Sequence, residues 1–245
     1  EMGVRVSELD GTVAPSAFFG RLMSSRLGLR EHAVRVIPNG IGLEGYEAAP
    51  CRCTKPVVGY LARLTPGKGL GSVVDAFLEL HRRGRVPDAR LVCVGTMIES
   101  DAICVEEQKR KLRGAGLEHR AEFEANVSRE RKIELLRGFS LLSVPALYGE
   151  AFGLYLLEAM ACGVPVIQPR TAAFTEIVNE TGGGILVEDA SPEALAEAWE
   201  ALLLEPARAD ALGRAGLHAV QRDYSMRAMA ERFVAFAKER MATRR

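Results

Sequence analysis

At 245 residues the chain has room for one large or two small domains, and a 48% hydrophobic content supplies a core. A charged fraction of 26% excludes a disordered chain, and basic and acidic residues balance at 32 each, so nothing points to a nucleic-acid or anionic-membrane partner. No run of 18 apolar residues and no signal peptide is present, so a soluble, cytoplasmic protein without a transmembrane segment is expected.

The first residues do not read as the beginning of a domain. Residues 17–29 have the pattern of a helix capped by Ser16, with no strand before it, and a strand over 34–37 leads into the turn signal Pro38-Asn39-Gly40. From Val57 the pattern is regular alternation. Strands are expected at 57–63, 91–95, 121–124, 141–145, 164–168 and 184–187, with helices between them at about 69–83, 101–114, 129–138, 153–162 and 173–180. Apolar strands alternating with helices predict an α/β fold, a doubly wound parallel sheet of about six strands. Such sheets bind ligands beyond the carboxyl ends of their strands, at helix N-termini. The tail is helical: one helix opens at Pro192 and carries Leu195 and Trp199 as core residues, another spans 208–222, and a last one 226–241. Met229, Phe233 and Phe236 form an apolar side of that last helix, and Arg244-Arg245 suits its final turn.

The five cysteines are Cys51, Cys53, Cys93, Cys104 and Cys162. Their number is odd and their spacing irregular, and Cys51-Arg52-Cys53 is followed by no second pair at zinc spacing. All five read as reduced thiols, Cys93 and Cys162 as small core hydrophobes. His32, His81, His119 and His218 suggest no triad and read as surface residues.

The stretch EAFGLYLLEAMACGVPVIQP (150–169) is the most informative. A helix is expected from about Phe152 to Cys162, ended by Gly163 and Pro165 and followed by a buried strand. Glu150 precedes this helix and Glu158 lies on its second turn, so about 8–12 Å separates them at 1.5 Å rise per residue. That is too far to share a proton or a metal, but it suits the two ends of an extended ligand lying in a solvated cleft. Between them the amides of Phe152, Gly153 and Leu154 form an anion site at a helix N-terminus. The alternative is that Glu150 answers the helix dipole and Glu158 lies on a solvated face. Arg63 ends the first strand of the alternating region and Lys68 follows a Thr-Pro-Gly turn; together they can neutralise a diphosphate without a metal, or they are solvated surface charges. Lys68-Gly69 departs from a Walker A loop, and Gly67, Gly69 and Gly71 lack dinucleotide spacing, which disfavours an NAD-linked oxidoreductase.

The Glu-x7-Glu pair within E-x-F-G-L-x-x-L-E-A-M-A-C-G-x-P-V resembles the signature of family-4 retaining glycosyltransferases of the GT-B fold. GYLARLTPGKGL (59–70) is similar to the G-x-x-x-R-L-x-x-x-K-G block of that family, and VIPNGI (36–41) to its hinge. The resemblance covers roughly residues 10–240.

It implies that 1–40 is a remnant of the N-terminal lobe and hinge, 41–222 the Rossmann-like nucleotide-sugar-binding domain, and 223–245 a helix that packs on the N-terminal lobe, most of which is absent. Glu150, Arg63 and Lys68 would be catalytic. Glu158, Phe152, Gly153, Leu154 and Val127 would hold the donor, a UDP-, GDP- or ADP-sugar, with Glu158 on the ribose diol, Glu150 on the sugar and Val127 by the base. No cofactor or metal is expected, and no Asp-x-Asp pair exists. The chain departs from the family at Ala125, where Gly is common, and over 170–176, where paired Gly is common; Glu176 matches an acidic residue there and reads as structural. Two functions stay open: sugar transfer to an unknown acceptor hydroxyl, or donor binding without activity in the isolated lobe.

Overall fold

The opening segment pairs β1 (Thr12–Ala14) with β2 (Val34–Val36) in parallel, from Thr12 beside Val34 to Ala14 beside Val36, across helix α1 (Ala17–Leu27). The computed structural model describes residues 9–30, 33–48 and 55–243, so Cys51, Cys53, His32 and Arg244-Arg245 lie outside the described residues. Ser16 caps α1 as expected, accepting the Phe19 amide at 3.1 Å. The expectation of no strand before this helix is corrected: β1 is three residues long, too short to show alternation.

Six parallel strands follow: β3 (Val57–Leu61), β4 (Arg90–Gly95), β5 (Ala121–Ala125), β6 (Leu141–Leu142), β7 (Val166–Pro169) and β8 (Gly184–Val187). Their spatial order is β5-β4-β3-β6-β7-β8. The chain walks outward from β3 to β5, returns to the other side of β3 as β6, and walks outward again. With right-handed crossovers this reversal puts helices on both faces of the sheet. Helix α2 (Leu70–Arg83) packs on α3 (Ala102–Gly114) and on α7 (Pro192–Leu203). Helix α5 (Leu154–Ala161) packs on α4 (Arg129–Arg137) and α8 (Pro206–Asp223), and α8 also meets α6 (Ala172–Thr181). Val58, Tyr60, Leu141, Leu142, Val166 and Ile167 are fully buried between these layers, as is Trp199 on α7. Cys93, Cys104 and Cys162 are free thiols, and burial pushes Cys162 up to about 12.

Several boundaries differ from the sequence reading: the strand expected over 57–63 ends at Leu61, and that expected from 164 begins at Val166. The strand expected over 141–145 is regular only at Leu141 and Leu142, with the Ser143 amide still donating to the Gly59 carbonyl at 2.9 Å; beyond it Pro145 has no amide to give and the Gln168 side-chain amide takes up the Val144 backbone. The helix expected from Phe152 begins at Leu154: Gly153 takes φ 97° as its cap, and Phe152 leaves the helix to be buried beside Tyr224.

The last helix, α9 (Met226–Thr243), starts where the chain crosses itself. Ile41 gives its amide to Tyr224 at 2.9 Å and takes that of Met226 at 3.0 Å. It runs back along the opening segment, with Phe236 against Gly11 and Arg35 paired to Glu239 at 2.8 Å. Met229 and Phe236 are half-buried there and Phe233 is exposed. No helix among the described residues is long and apolar enough to cross a membrane.

Candidate active site

The reversal of strand order leaves a crevice beyond the carboxyl ends of β3 and β6, where doubly wound sheets bind ligands. Lys68 arrives there on the loop after β3 and Glu150 on the loop after β6. The two loops touch closely: the Leu147 amide donates to the Gly67 carbonyl at 3.0 Å, and a side chain at Gly69 would meet the Pro145 carbonyl at 2.1 Å. Gly69 also has φ 78°, so only glycine serves at this junction. Lys68 Nζ forms an ion pair with Glu150 Oε2 and lies 5.0 Å above the Tyr148 ring, while the Tyr155 hydroxyl donates to the same carboxylate at 3.1 Å. Burial opposes the charge of Lys68, but its hydrogen bonds to Glu150 and Tyr148 outweigh this and hold it above the ordinary lysine value.

Arg63, expected to end the first strand, stands two residues past β3 and faces a cleft of about 450 Å³. Its guanidinium holds Asp101 by two bonds, of 2.9 and 3.1 Å, and the Ile98 amide adds a third at 3.0 Å. These bonds, that of Arg63 first, keep the Asp101 carboxyl below the usual aspartate value. Each cation expected to face a diphosphate is therefore already matched to a carboxylate.

Arg63, Val127, Leu154 and Glu158, all expected site residues, line the cleft together. Glu150 and Lys68 meet beside it around Tyr155. Phe152 is 4% exposed and contributes to the core. Gly153, Leu154 and Tyr155 carry the amides ahead of the first α5 bond, which runs from the Leu156 amide to the Gly153 carbonyl at 3.0 Å. The solvated cleft expected around the glutamates is corrected, since their side chains are only 14% and 18% exposed for Glu150 and Glu158. Glu158 Oε1 accepts from Lys132 at 2.6 Å and from the Tyr46 hydroxyl at 2.9 Å.

Lys132, Tyr46, Asp101, Tyr155, Arg129 and Asn126 were missed from the sequence. Lys132 sits among the charges of 129–134, where nothing marks it off from a solvated helix face, and Tyr46 lies between regular elements. Asn126 had a usable signal, because asparagine tolerates left-handed backbone; it takes φ 55° and clasps the Met97 backbone in both directions, at 3.0 and 2.9 Å. Ala125, the departure from the family pattern, lies in regular β5 opposite Gly95 and needs no glycine. Ala172 is different: it opens α6 at φ 50°, within the 170–176 stretch where the family commonly has paired glycines.

His81 contacts the Ala89 carbonyl at 3.1 Å, and His119 and His218 are exposed; none of the three lines the cleft. Among the described residues no three His, Cys, Asp or Glu side chains gather as metal ligands would.

The model of the family "Glycosyl transferases group 1" matches residues 49–218. A phosphatidyl-myo-inositol mannosyltransferase of Mycobacterium leprae is 32% identical over 222 residues, 88% of this chain and 56% of its own length. A GDP-mannose-dependent alpha-(1-6)-phosphatidylinositol monomannoside mannosyltransferase of Mycolicibacterium smegmatis is 32% identical over 67% of this chain and 43% of itself. The chain thus spans about half the length of these relatives. Among solved structures, sucrose-phosphate synthase from Thermosynechococcus elongatus superposes with a TM-score of 0.83 at 25% identity, over 99% of this chain and 61% of that one. Anabaena HepE in complex with UDP and glucose superposes with a TM-score of 0.80 at 21% identity, over 94% and 63%. With the sheet of a GT-B lobe and a family match across most of its length, the chain belongs to the group 1 glycosyl transferases.

Proposed function

We propose that this chain is the donor-binding lobe of a retaining glycosyltransferase of family 4, which moves a sugar from a nucleotide diphosphate sugar to an acceptor hydroxyl. The observation that carries it is the Lys68–Glu150 ion pair at the reversal of the sheet, beside the cleft that Arg63 and Glu158 line. The ribose diol lies on Glu158, whose carboxylate accepts hydroxyl protons. The diphosphate spans Arg63, Lys68 and the amides that open α5, and takes over from Asp101 and Glu150 as partner of the two cations. The base lies by Val127 and the transferred sugar by Glu150.

Transfer breaks the bond between the anomeric carbon and the leaving phosphate oxygen and forms one to the acceptor oxygen on the same face. The acceptor proton passes to the departing phosphate. The work of the protein is to position the partners and stabilise the leaving charge. Donor binding without transfer in the isolated lobe is the second reading, favoured by the cleft wall that gathers Arg63, Val127, Leu154 and Glu158.

A thermal-shift and calorimetry panel of UDP, GDP and ADP with their sugars tests this. One nucleotide series should raise the melting temperature, and affinity should survive EDTA, because Arg63, Lys68 and α5 already supply positive potential. No response to any nucleotide would sink the proposal, and a response that needs Mn²⁺ or Mg²⁺ would sink its metal-free part.

A further inference from the structure

Glu176 lines no part of the cleft, yet its carboxylate closes a contact on which the Glu150 loop depends. It stands in the second turn of α6 and accepts the first two amides of α1, that of Ala17 at 2.7 Å and that of Phe18 at 2.5 Å. The third amide, of Phe19, goes to Ser16 Oγ, and the fourth, of Gly20, to the Ser16 carbonyl at 2.9 Å. Every donor in the first turn of α1 is accounted for, two of them by a residue far away in sequence. A carboxylate is well suited there, because it also answers the positive end of the helix dipole.

The loop carrying Glu150 lies between the two helices that Glu176 ties together. From α1, the Ser16 hydroxyl donates to the Ala151 carbonyl at 2.7 Å. From α6, the Ala173 amide donates to the Glu150 carbonyl at 3.3 Å. Gly149 admits the Phe18 ring, since a Cβ there would come within 2.9 Å of it. Residues 149–151 are thus held from both sides, and Glu150 leaves this frame towards Lys68 and Tyr155.

We infer that Glu176 is a positioning residue: it clamps the N-terminus of α1 onto α6 and so sets the backbone from which Glu150 reaches Lys68. The consequence for ligand binding rests on the function proposed above; the clamp itself does not. Glu176→Gln keeps the shape but turns an NH2 group towards one of the two amides and removes the charge. Ser16→Ala removes the bond to Ala151 and leaves Glu176 in place.

Hydrogen exchange on the full chain reads the clamp without a ligand. In Glu176→Gln, the amides of 17–19 and that of Ala173, which is bonded to the Glu150 carbonyl, should exchange about tenfold faster, as expected for a lost charge-assisted hydrogen bond, with β3 and β4 unchanged. Faster exchange confined to 17–19 would reduce Glu176 to a local cap and overturn the inference. Should Glu176→Gln fail to fold, Ser16→Ala carries the same reading: the Ala173 amide on the Glu150 carbonyl must exchange faster, and protection there equal to wild type overturns it. Where wild type binds UDP and UDP-glucose, or GDP and GDP-mannose, Glu176→Gln should bind the sugar conjugate about tenfold more weakly and the bare diphosphate as before. A wild type that binds neither ligand would refute the proposed function, while the exchange result would still decide the clamp.

Discussion

The two glutamates differ in what holds them, and that separates their mutants. Glu158 is gripped by Lys132 and Tyr46 on the cleft wall, and Glu150 by Lys68 and Tyr155 at the crevice. Glu158→Gln should weaken a nucleotide diphosphate and its sugar conjugate alike, by about 1.5–3 kcal/mol, the worth of a hydrogen bond to a charged group. Glu150→Gln should not weaken the bare diphosphate, since it frees Lys68 for it, and should weaken only the conjugate; calorimetry with both ligands checks the split. Each change leaves a half-buried lysine without its partner, so each should also lower stability by about 1–2 kcal/mol in urea titrations. Ala172→Gly should do the opposite. An alanine at φ 50° carries about 1–2 kcal/mol of strain, of which the freer unfolded chain of a glycine returns only part. A gain of about 0.5–1 kcal/mol is expected, read as a higher urea midpoint at unchanged slope.

Among the elements, α5 and the loops beside it make the site. This helix is eight residues long and starts two residues later than its sequence suggests. Phe152 is compatible with a helix, but burial beside Tyr224 draws it out, and the left-handed Gly153 makes the turn between them. The loop after β3 needs another left-handed glycine, Gly69, and two substitutions separate its two constraints. Gly84 ends α2 at φ 72° with nothing within 4 Å of an added Cβ, whereas Gly69 meets the Pro145 carbonyl at 2.1 Å. Gly84→Ala should therefore cost only the backbone strain of about 1–2 kcal/mol. Gly69→Ala should cost clearly more and also weaken nucleotide binding, because the clash pushes apart the loops that bring Lys68 to Glu150. Equal losses in urea for the two variants would show that the close approach carries no weight.

For the whole molecule, the first crossover helix of the sheet and the helix that follows its last strand are joined by charge. Arg83, the last residue of α2, and Arg85, just beyond its Gly84 cap, meet the buried Glu200 of α7 at 3.0 and 3.1 Å. The Arg83 hydrogen bonds above all hold the Glu200 carboxyl below the usual glutamate value. The stability this supplies is complete above the ordinary glutamate pKa of about 4.3 and is lost as pH falls through the lower folded-state value. The gap in melting temperature between wild type and Glu200→Gln should therefore be constant from neutral pH to about pH 5 and shrink below about pH 4. A gap that instead opens with acidification would mean Glu200 is not ionised in the folded state.

What the sequence determined by itself was whatever rests on local pattern. Strand and helix alternation from Val57 onward, the Ser16 cap and the burial of Trp199 were all legible, because period and capping chemistry are properties of neighbouring residues. The nearness of Arg63 and Lys68 to the 150–158 stretch was also legible, though only through the resemblance of three blocks. Tertiary structure alone decided which charges meet. Asp101 claims Arg63, Lys132 and Tyr46 claim Glu158, and Glu176 claims the first amides of α1, across 38, 26, 112 and 158 or more residues of chain. No local pattern marks such partners, since an acidic or basic residue on a helix has the same surroundings in sequence whether it faces water or a distant backbone. Burial then decides the outcome: a charge brought under the surface must find its counterpart, and the order of the strands settles which counterpart is within reach.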